Sequence, residues 1–169
     1  MHYPTLRLLP RKEESILRLH PWVFSGAIAS YSEPVTDGSL VTVLDSKGKP
    51  LGTGHFGGGS IAVRLLSFSG EEIIDREFYK ARLQAALGLR LDCGLVRPEG
   101  SCERPNNTYR LVHGEGDGLP GLVIDIYDRT AVLQAHSMGM HEARMMIAEA
   151  LQEVYEEAGD PVTPLAGIY

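Results

Sequence analysis

The segment that most restricts the fold of this chain is the glycine-rich stretch at residues 109–127, YRLVHGEGDGLPGLVIDIY. Gly114, Gly116 and Gly118 alternate, so the backbone there can adopt positive φ or approach another backbone closely. Pro120 fixes its own φ and removes a hydrogen-bond donor. Apolar, β-branched runs on both sides predict strands. The pattern therefore predicts a tight strand–loop–strand element.

This loop does not have the spacing of a nucleotide-binding motif. The glycines lack the G-x-G-x-x-G arrangement, and a β-branched run follows them where a dinucleotide site needs a helix N-terminus. No Lys followed by Ser or Thr is present, which excludes a P-loop. Glu115 and Asp117 would also repel phosphate. The loop is interpreted as a structural turn.

Length and composition place the chain among ordinary globular proteins. Its 169 residues suffice for one large domain or two small ones. Hydrophobic residues make up 43% and charged residues 22%, and no apolar run approaches a membrane span or a signal peptide. We therefore expect a cytoplasmic protein without membrane association.

The net charge of −6 is unevenly distributed along the chain. Residues 1–70 carry seven Lys and Arg against five Asp and Glu, a net +2. Residues 71–169 carry nine against seventeen, a net −8. A mildly basic front half is compatible with RNA contact through that half, although +2 falls short of a basic patch.

The front half alternates short apolar runs with turn residues. The runs predict a short helix at 12–19, an extended piece at 22–24 and strands at 6–9, 40–45, 51–56 and 61–68. Asp37-Gly38 and residues 45–50 predict turns between them. Strands of this length and spacing are typical of a small β-barrel or sandwich.

Two features of the front half leave alternatives open. Trp22 and Phe24 are interpreted as core residues, with stacking on nucleic-acid bases as the alternative. Residues 57–60, GGGS, are interpreted as a flexible hairpin connection, with close approach to a phosphate as the alternative.

The back half changes to helix and then to strands. An apolar stripe predicts a helix over 71–91, which would connect two domains, and a polar loop follows at 92–107. The later segments predict strands at 109–113, 121–127 and 130–136, a helix at 139–157 ended by Gly159, and the start of a strand at 166–169. Because a strand that stops so early leaves its partner unsatisfied, we expect the natural protein to continue.

Candidate metal, disulfide and glycosylation sites are weak. Cys93 and Cys102 lack the spacing and the histidines of a zinc site and are interpreted as free thiols. Asn106 begins a glycosylation pattern that we attribute to chance, because no secretory signal is present. A small enzyme using His113, Glu115 and Asp117 is a remote alternative, since the intervening glycines argue against a strand that would align them.

Four stretches of the sequence resemble one family. Residues 20–28, HPWVFSGAI, resemble the opening of bacterial class I S-adenosylmethionine-dependent 23S rRNA (cytosine-C5) methyltransferases. Residues 109–122, YRLVHGEGDGLPGL, are similar to the central signature of the same family. Leu133-Gln134 and the closing residues 167–169, GIY, also resemble it, whereas residues 92–107 are longer and more polar than the family pattern.

The resemblance implies a mixed α/β (α+β) fold. Residues 1–70 would form a PUA-like RNA-binding β-barrel, 71–108 a connecting helix and loop, and 109–169 a central α+β domain of strand–strand–helix–strand order, truncated at its C-terminal end. The Rossmann-like methyltransferase domain, with the S-adenosylmethionine site and the cysteine nucleophile that attacks cytosine C6, would lie outside this chain. Neither Cys93 nor Cys102 matches the catalytic position. No catalytic, cofactor-binding or metal-binding residue is therefore assigned here.

The expected function is the RNA-recognition portion of an rRNA methyltransferase, itself catalytically inert. Ribosomal RNA is the expected partner, and a homodimer of the full-length protein is left open. The candidate RNA-contacting residues are the exposed cations and two histidines of the front half: Arg7, Arg11, Lys12, Arg18, His20, Lys47, Lys49, His55 and Arg64. The alternative is a stand-alone PUA-type RNA-binding or adaptor module, which the sequence downstream of Tyr169 would distinguish.

Overall fold

The computed structural model describes residues 3–96, 106–159 and 162–169. These residues divide into two compact units. The first contains the described residues up to Ile73 together with Ser137–Glu142, and the second contains the described residues within Ile74–His136 and Ala143–Tyr169. The predicted loop at 92–107 and Cys102 fall largely outside the described residues. The three-part division at residues 70 and 108 stays a prediction.

The first unit is built on one six-stranded sheet. Its elements, in chain order, are β1 (Thr5–Leu8), α1 (Glu14–Leu17), β2 (Trp22–Phe24), β3 (Ile28–Tyr31), β4 (Leu40–Leu44), β5 (Pro50–Phe56), β6 (Ile61–Ser67) and, from later in the sequence, α3 (Met138–Glu142). The strand order is β2-β6-β5-β4-β1-β3, and only the β1–β4 pair is parallel. The strands predicted from alternating apolar residues are confirmed with shifts of one residue at their ends.

This sheet must curl. Its two edge strands, β2 and β3, stand at opposite ends of the strand order but are joined by a single 3₁₀ turn, Ser25–Ala27. Five strand spacings in a flat sheet would separate the edges by about 24 Å. Four residue steps span at most about 14 Å. The short connection therefore brings the edges towards each other, as the predicted barrel requires.

The curled sheet encloses an aliphatic core. The buried residues that form it are Leu6, Leu8, Ile16, Val23, Val41, Val43, Leu51, Val63 and Leu65. Cross-strand pairs such as Val23 and Val63 lie directly opposite each other and point to the same inner face. Gly54 lies at a register shift in β5, where a side chain would collide with the backbone of Arg64. The close β5–β6 contact therefore depends on glycine.

The second unit combines two helices with a four-stranded sheet. Its elements are α2 (Arg76–Asp92), β7 (Thr108–His113), a 3₁₀ turn (Gly114–Asp117), β8 (Leu122–Tyr127), β9 (Thr130–Ala135), α4 (Arg144–Glu157) and β10 (Gly167–Ile168). The strand order is β10-β9-β8-β7, with β10 parallel to β9. Three strands precede the helix, one more than the resemblance implied, because β8 and β9 form a hairpin through Asp128 at φ 57°.

Two helix predictions need correction. The helix expected over 71–91 begins only at Arg76, because Asp75 is its N-cap and accepts a hydrogen bond from the backbone N–H of Phe78 at 3.0 Å. The helix expected over 139–157 is divided at Ala143 into α3 and α4. The two pieces pack on different partners, α3 on β5 and α4 on α2. No helix within the described ranges has the length and apolarity to cross a bilayer.

Candidate nucleic-acid interface

The fold brings three of the predicted cations together at the turn between β4 and β5. Lys47 and Lys49 lie in this turn and are exposed. Arg7, exposed on β1, reaches the same turn and donates a hydrogen bond from Nη1 to the carbonyl of Ser46 at 3.4 Å. We call Arg7, Lys47 and Lys49 the turn cluster. The parallel β1–β4 pair creates it, since Arg7 lies opposite Leu44, the last residue of β4.

Asp45 shapes the same turn. Its Oδ1 accepts hydrogen bonds from the backbone N–H groups of Lys49 and Lys47, both at 2.8 Å. The bond from Lys49 is the main cause that holds the pKa of Asp45 below its ordinary value. The carboxylate is therefore committed to the backbone, and it fixes the loop that carries the two lysines.

A second group of predicted cations belongs to the segment around α1. Arg11, Lys12 and Arg18 are exposed there. Arg18 lies 3.9 Å from the carboxylate of Glu14, and both side chains are largely in solvent, so this ion pair is weak. Arg11 has φ 66°, a left-handed backbone conformation that follows the end of β1. These residues lie at the surface in positions where RNA phosphates could reach them.

The third group is a row of aromatic rings on the edge strand β2 and on the residues just before it. The ring of His20 meets that of Trp22 edge-on, with 5.5 Å between centroids, and Trp22 meets Phe24 in the same way at 6.4 Å. Arg64 lies directly opposite Trp22 on the neighbouring strand β6. We call His20, Trp22, Phe24 and Arg64 the aromatic strip. Rings with an adjacent cation are the elements on which single-stranded nucleic acids stack.

The interpretation of Phe24 as a core residue is wrong. Its side chain is 51% exposed, whereas Val23 between the two rings is 3% exposed and belongs to the core. Trp22 is half-buried and is likewise outside the core cluster. The alternation of residues 20, 22 and 24 already placed these rings on the face opposite Val23. That period-two pattern was the signal that could have identified the strip.

His55 differs from the other candidates because it lies inside the unit. It is 5% exposed, and burial lowers the pKa of its imidazole to about 4. The ring lies beneath Gly139 of α3, where an added Cβ would overlap it. Because the ring is covered, His55 offers no open face to RNA in this arrangement. An RNA contact by His55 stays a prediction.

The glycine loop at residues 57–60 lies beside the aromatic strip. A Cβ at Gly57 would be 3.5 Å from Nη1 of Arg64, while Gly58 and Gly59 have no atom within 4 Å of the corresponding position. The carbonyl of Ser60 accepts a hydrogen bond from the N–H of Ser25, next to Phe24, at 2.9 Å. The loop is thus anchored at its end and open at Gly58 and Gly59.

In the second unit, the glycine-rich segment has a structural role. Asp117 forms an ion pair with Arg90 of α2 through both carboxylate oxygens, and its Oδ2 also accepts a hydrogen bond from the backbone N–H of His113 at 2.6 Å. Gly118 follows with φ 69°. Among the residues that the structure describes, no group of three or more His, Cys, Asp or Glu could hold a metal ion. Asp117 is therefore occupied in holding the turn that the sequence predicted.

Comparison with known proteins supports the resemblance found in the motifs. The profile of the PUA-like domain family matches residues 6–68, which lie within the first unit. The chain is 39% identical over 156 residues to the "Ribosomal RNA large subunit methyltransferase I" of Yersinia pseudotuberculosis and to that of Yersinia pestis. These alignments cover 90% of this chain and 38% of each relative. The resemblance to rRNA methyltransferases is confirmed.

Solved structures show the same fold. A putative SAM-dependent methyltransferase from Streptococcus mutans matches with a TM-score of 0.72 and 19% identity. A putative methyltransferase in complex with SAH matches with a TM-score of 0.71 and 18% identity. Each match covers 92% of this chain and 38% of the other. The chain therefore spans less than half the length of the relatives that it matches.

Proposed function

We propose that this chain is the RNA-recognition portion of an S-adenosylmethionine-dependent rRNA methyltransferase. The observation that carries the proposal is the 39% identity to an rRNA large subunit methyltransferase along 90% of the chain. In the proposed parent enzyme a further domain binds the cofactor and transfers a methyl group to C5 of a cytosine in 23S rRNA. The present chain supplies binding and no chemistry, and the parent enzyme would act in the cytoplasm.

In the proposed binding, the turn cluster contacts RNA phosphates and the aromatic strip contacts RNA bases. Arg7, Lys47 and Lys49 are three positive charges held around one turn, an arrangement suited to successive phosphates. The rings of Trp22 and Phe24 are suited to unpaired bases, because stacking tolerates every base. We assign the remaining exposed candidates, Arg11, Lys12 and Arg18, to auxiliary contacts with RNA phosphates.

The proposal is tested by the salt dependence of binding to fragments of 23S rRNA. Neutralising the turn cluster with Arg7→Ala, Lys47→Ala and Lys49→Ala should weaken binding and lower the slope of log K against log salt. The expected change is about 0.7 for each phosphate of single-stranded RNA that the variant no longer neutralises. Arg129→Ala is the matched control, because Arg129 is exposed in the second unit and donates to the carbonyl of Pro164.

An unchanged slope in the triple variant would remove the turn cluster from the interface, and no salt-sensitive binding to any fragment would overturn the proposal. Methylation of cytosine by a longer form of the protein is a separate measurement. If that form binds rRNA but transfers no methyl group, the alternative of a stand-alone binding module is supported.

A further inference from the structure

An open cleft lies in the first unit, apart from the residues discussed so far. Its volume is about 460 Å³, and it is lined by Tyr31, Glu33, Pro34, Val35 and Phe56. The rings of Tyr31 and Phe56 meet edge-on with 5.9 Å between centroids. Tyr31 is 44% exposed. The cleft thus combines two aromatic walls, two further apolar side chains and one carboxylate.

The walls of this cleft are held in place before any ligand arrives. The backbone N–H of Phe56 donates to the carbonyl of Ser39 at 2.8 Å, and its carbonyl accepts from the N–H of Gly38 at 2.9 Å. Val35 packs against the aliphatic core. Ser32, next to Tyr31, donates its N–H to the carbonyl of Thr5 at 2.9 Å. A cleft with fixed walls loses little conformational entropy when it is filled.

The chemistry of the lining selects for a flat ring that donates hydrogen bonds. Aromatic and proline side chains stack on a planar heterocycle. The carboxylate of Glu33 only accepts hydrogen bonds and repels phosphate, so the ligand must present N–H groups at this position. Among the RNA bases, guanine has two adjacent donors, N1–H and N2–H, that match the two oxygens of a carboxylate. Uracil presents one N–H between two carbonyl groups that a carboxylate repels.

The position of the cleft connects it to the proposed RNA surface. Phe56 is followed directly by Gly57, which lies beside the guanidinium of Arg64 in the aromatic strip. Phe56 and Phe24 also lie at ends of strands that both pair with β6, opposite Val63 and Ile61 respectively. One residue step of the chain thus separates the cleft wall at Phe56 from the glycine loop beside Arg64.

We propose that the Tyr31–Glu33–Phe56 cleft binds one unpaired guanine base of the RNA. The base inserts against Tyr31 and Phe56, and the carboxylate of Glu33 accepts hydrogen bonds from N1–H and N2–H. This inference rests on the proposed function, because it assigns a base preference to the same RNA-binding unit. It gives that unit a means of sequence recognition in addition to its charge.

The test uses the 169-residue chain and three single-stranded pentanucleotides, UUGUU, UUIUU and UUUUU, where I is inosine. Inosine keeps N1–H but lacks the N2 amine. We expect binding to UUGUU to exceed that to UUUUU by about tenfold, with UUIUU between them. Glu33→Gln should abolish the differences between the three, because it removes both the paired acceptors for N1–H and N2–H and the repulsion of the uracil carbonyl groups. The control is Glu71→Gln, an exposed residue of the first unit with the same charge change. Equal effects of the two variants, or an unchanged ranking in Glu33→Gln, would overturn the inference.

A second measurement separates this inference from the proposed function. Guanosine carries no phosphate, so its binding does not depend on the turn cluster. In NMR titrations with guanosine we expect chemical-shift changes at Tyr31, Val35 and Phe56, and Tyr31→Leu should reduce them. Changes confined to other residues would refute the cleft even if rRNA binds. Chemical-shift changes at the cleft, in a protein that shows no salt-sensitive binding to rRNA, would support the guanine site and refute the proposed function.

Discussion

The guanidinium of Arg90 and the carboxylate of Asp117 form a buried, two-pronged ion pair between α2 and the glycine-rich turn. Nη2 of Arg90 lies 2.8 Å from Oδ2 of Asp117, and the two side chains are 10% and 4% exposed. Arg90 also donates from Nε to the carbonyl of Arg110 at 3.1 Å. Arg90 therefore links both the glycine-rich turn and strand β7 to helix α2.

Removing one member of this pair should destabilise the second unit strongly. Asp117→Ala leaves the Arg90 charge buried without its partner, so we expect the free energy of unfolding to fall by about 3–5 kcal/mol. Denaturation in urea, followed by far-ultraviolet circular dichroism, measures the change. Glu14→Ala is the control, since its ion pair with Arg18 is exposed and should cost less than about 1 kcal/mol. Equal losses in the two variants would contradict this role for Asp117.

A side chain at Gly139 should disturb the first unit. The added Cβ in Gly139→Ala would lie about 2.6 Å from Cβ of His55, close to the backbone, where the ring cannot swing away. We expect a loss of about 1–3 kcal/mol from this overpacking. Gly88→Ala, in α2, meets no atom within 4 Å and should instead stabilise by about 0.5–1 kcal/mol. In a His55→Ala background, the penalty of Gly139→Ala should shrink without vanishing, because the overlap with the ring is removed while the contact with Cβ of residue 55 remains.

His55 should make the stability of the first unit depend on pH. Its pKa is about 4 in the folded protein and near 6.5 when unfolded, because burial disfavours the charged ring, and Nδ1 has no hydrogen-bond partner among the described residues. The unfolded state then binds more protons between these pH values, so stability rises with pH across that window and is lost as the pH falls towards 4. The full difference corresponds to roughly 3 kcal/mol.

Fluorescence of Trp22, the single tryptophan, reports unfolding of the unit that contains His55. His55→Gln should remove the part of the pH dependence between 4 and 6.5. His136→Gln, at an exposed position, should leave it unchanged. A wild-type protein whose urea midpoint is constant over this window would show that His55 is not buried in its neutral form.

Phe24 should contribute to RNA binding without contributing to the core. Because its ring is half exposed on the edge strand, we expect Phe24→Ala to weaken binding to single-stranded rRNA segments by about five- to one-hundredfold. Tyr127→Ala is matched in exposure, at 52%, and lies in the second unit. Fluorescence anisotropy of labelled RNA provides the affinities. Equal weakening by both substitutions would point to a nonspecific effect.

The strands could be predicted from sequence because each has a local pattern that ends at turn residues. β4, β5 and β6 show this, because only a few residues, Asp and Gly among them, separate the apolar run of one strand from that of the next. The turn cluster could not be predicted as a group. Arg7 meets Lys47 and Lys49 only through the parallel β1–β4 pair, which is a long-range relationship.

The two helix errors have a similar origin. The apolar stripe from Met140 to Val154 has one continuous helical period, yet Ala143 interrupts the helix because α3 packs on β5 and α4 packs on α2. Local periodicity carries no information about a change of packing partner. Arg90 shows the same limit. A cation at a helix end is normally exposed, and Arg90 is buried here against distant partners, the carboxylate of Asp117 and the carbonyl of Arg110.

The curled sheet has a consequence for association between molecules. Both of its edges are supplied by one short stretch of chain, β2 of three residues and β3 of four, joined through Ser25–Ala27. Displacing that single stretch would expose the backbone groups of β6 and β1 at the same time, giving a foreign strand two templates for edge-to-edge growth. The ten-residue segment from Trp22 to Tyr31 therefore covers the exposed edges of both β6 and β1, and its displacement would favour aggregation.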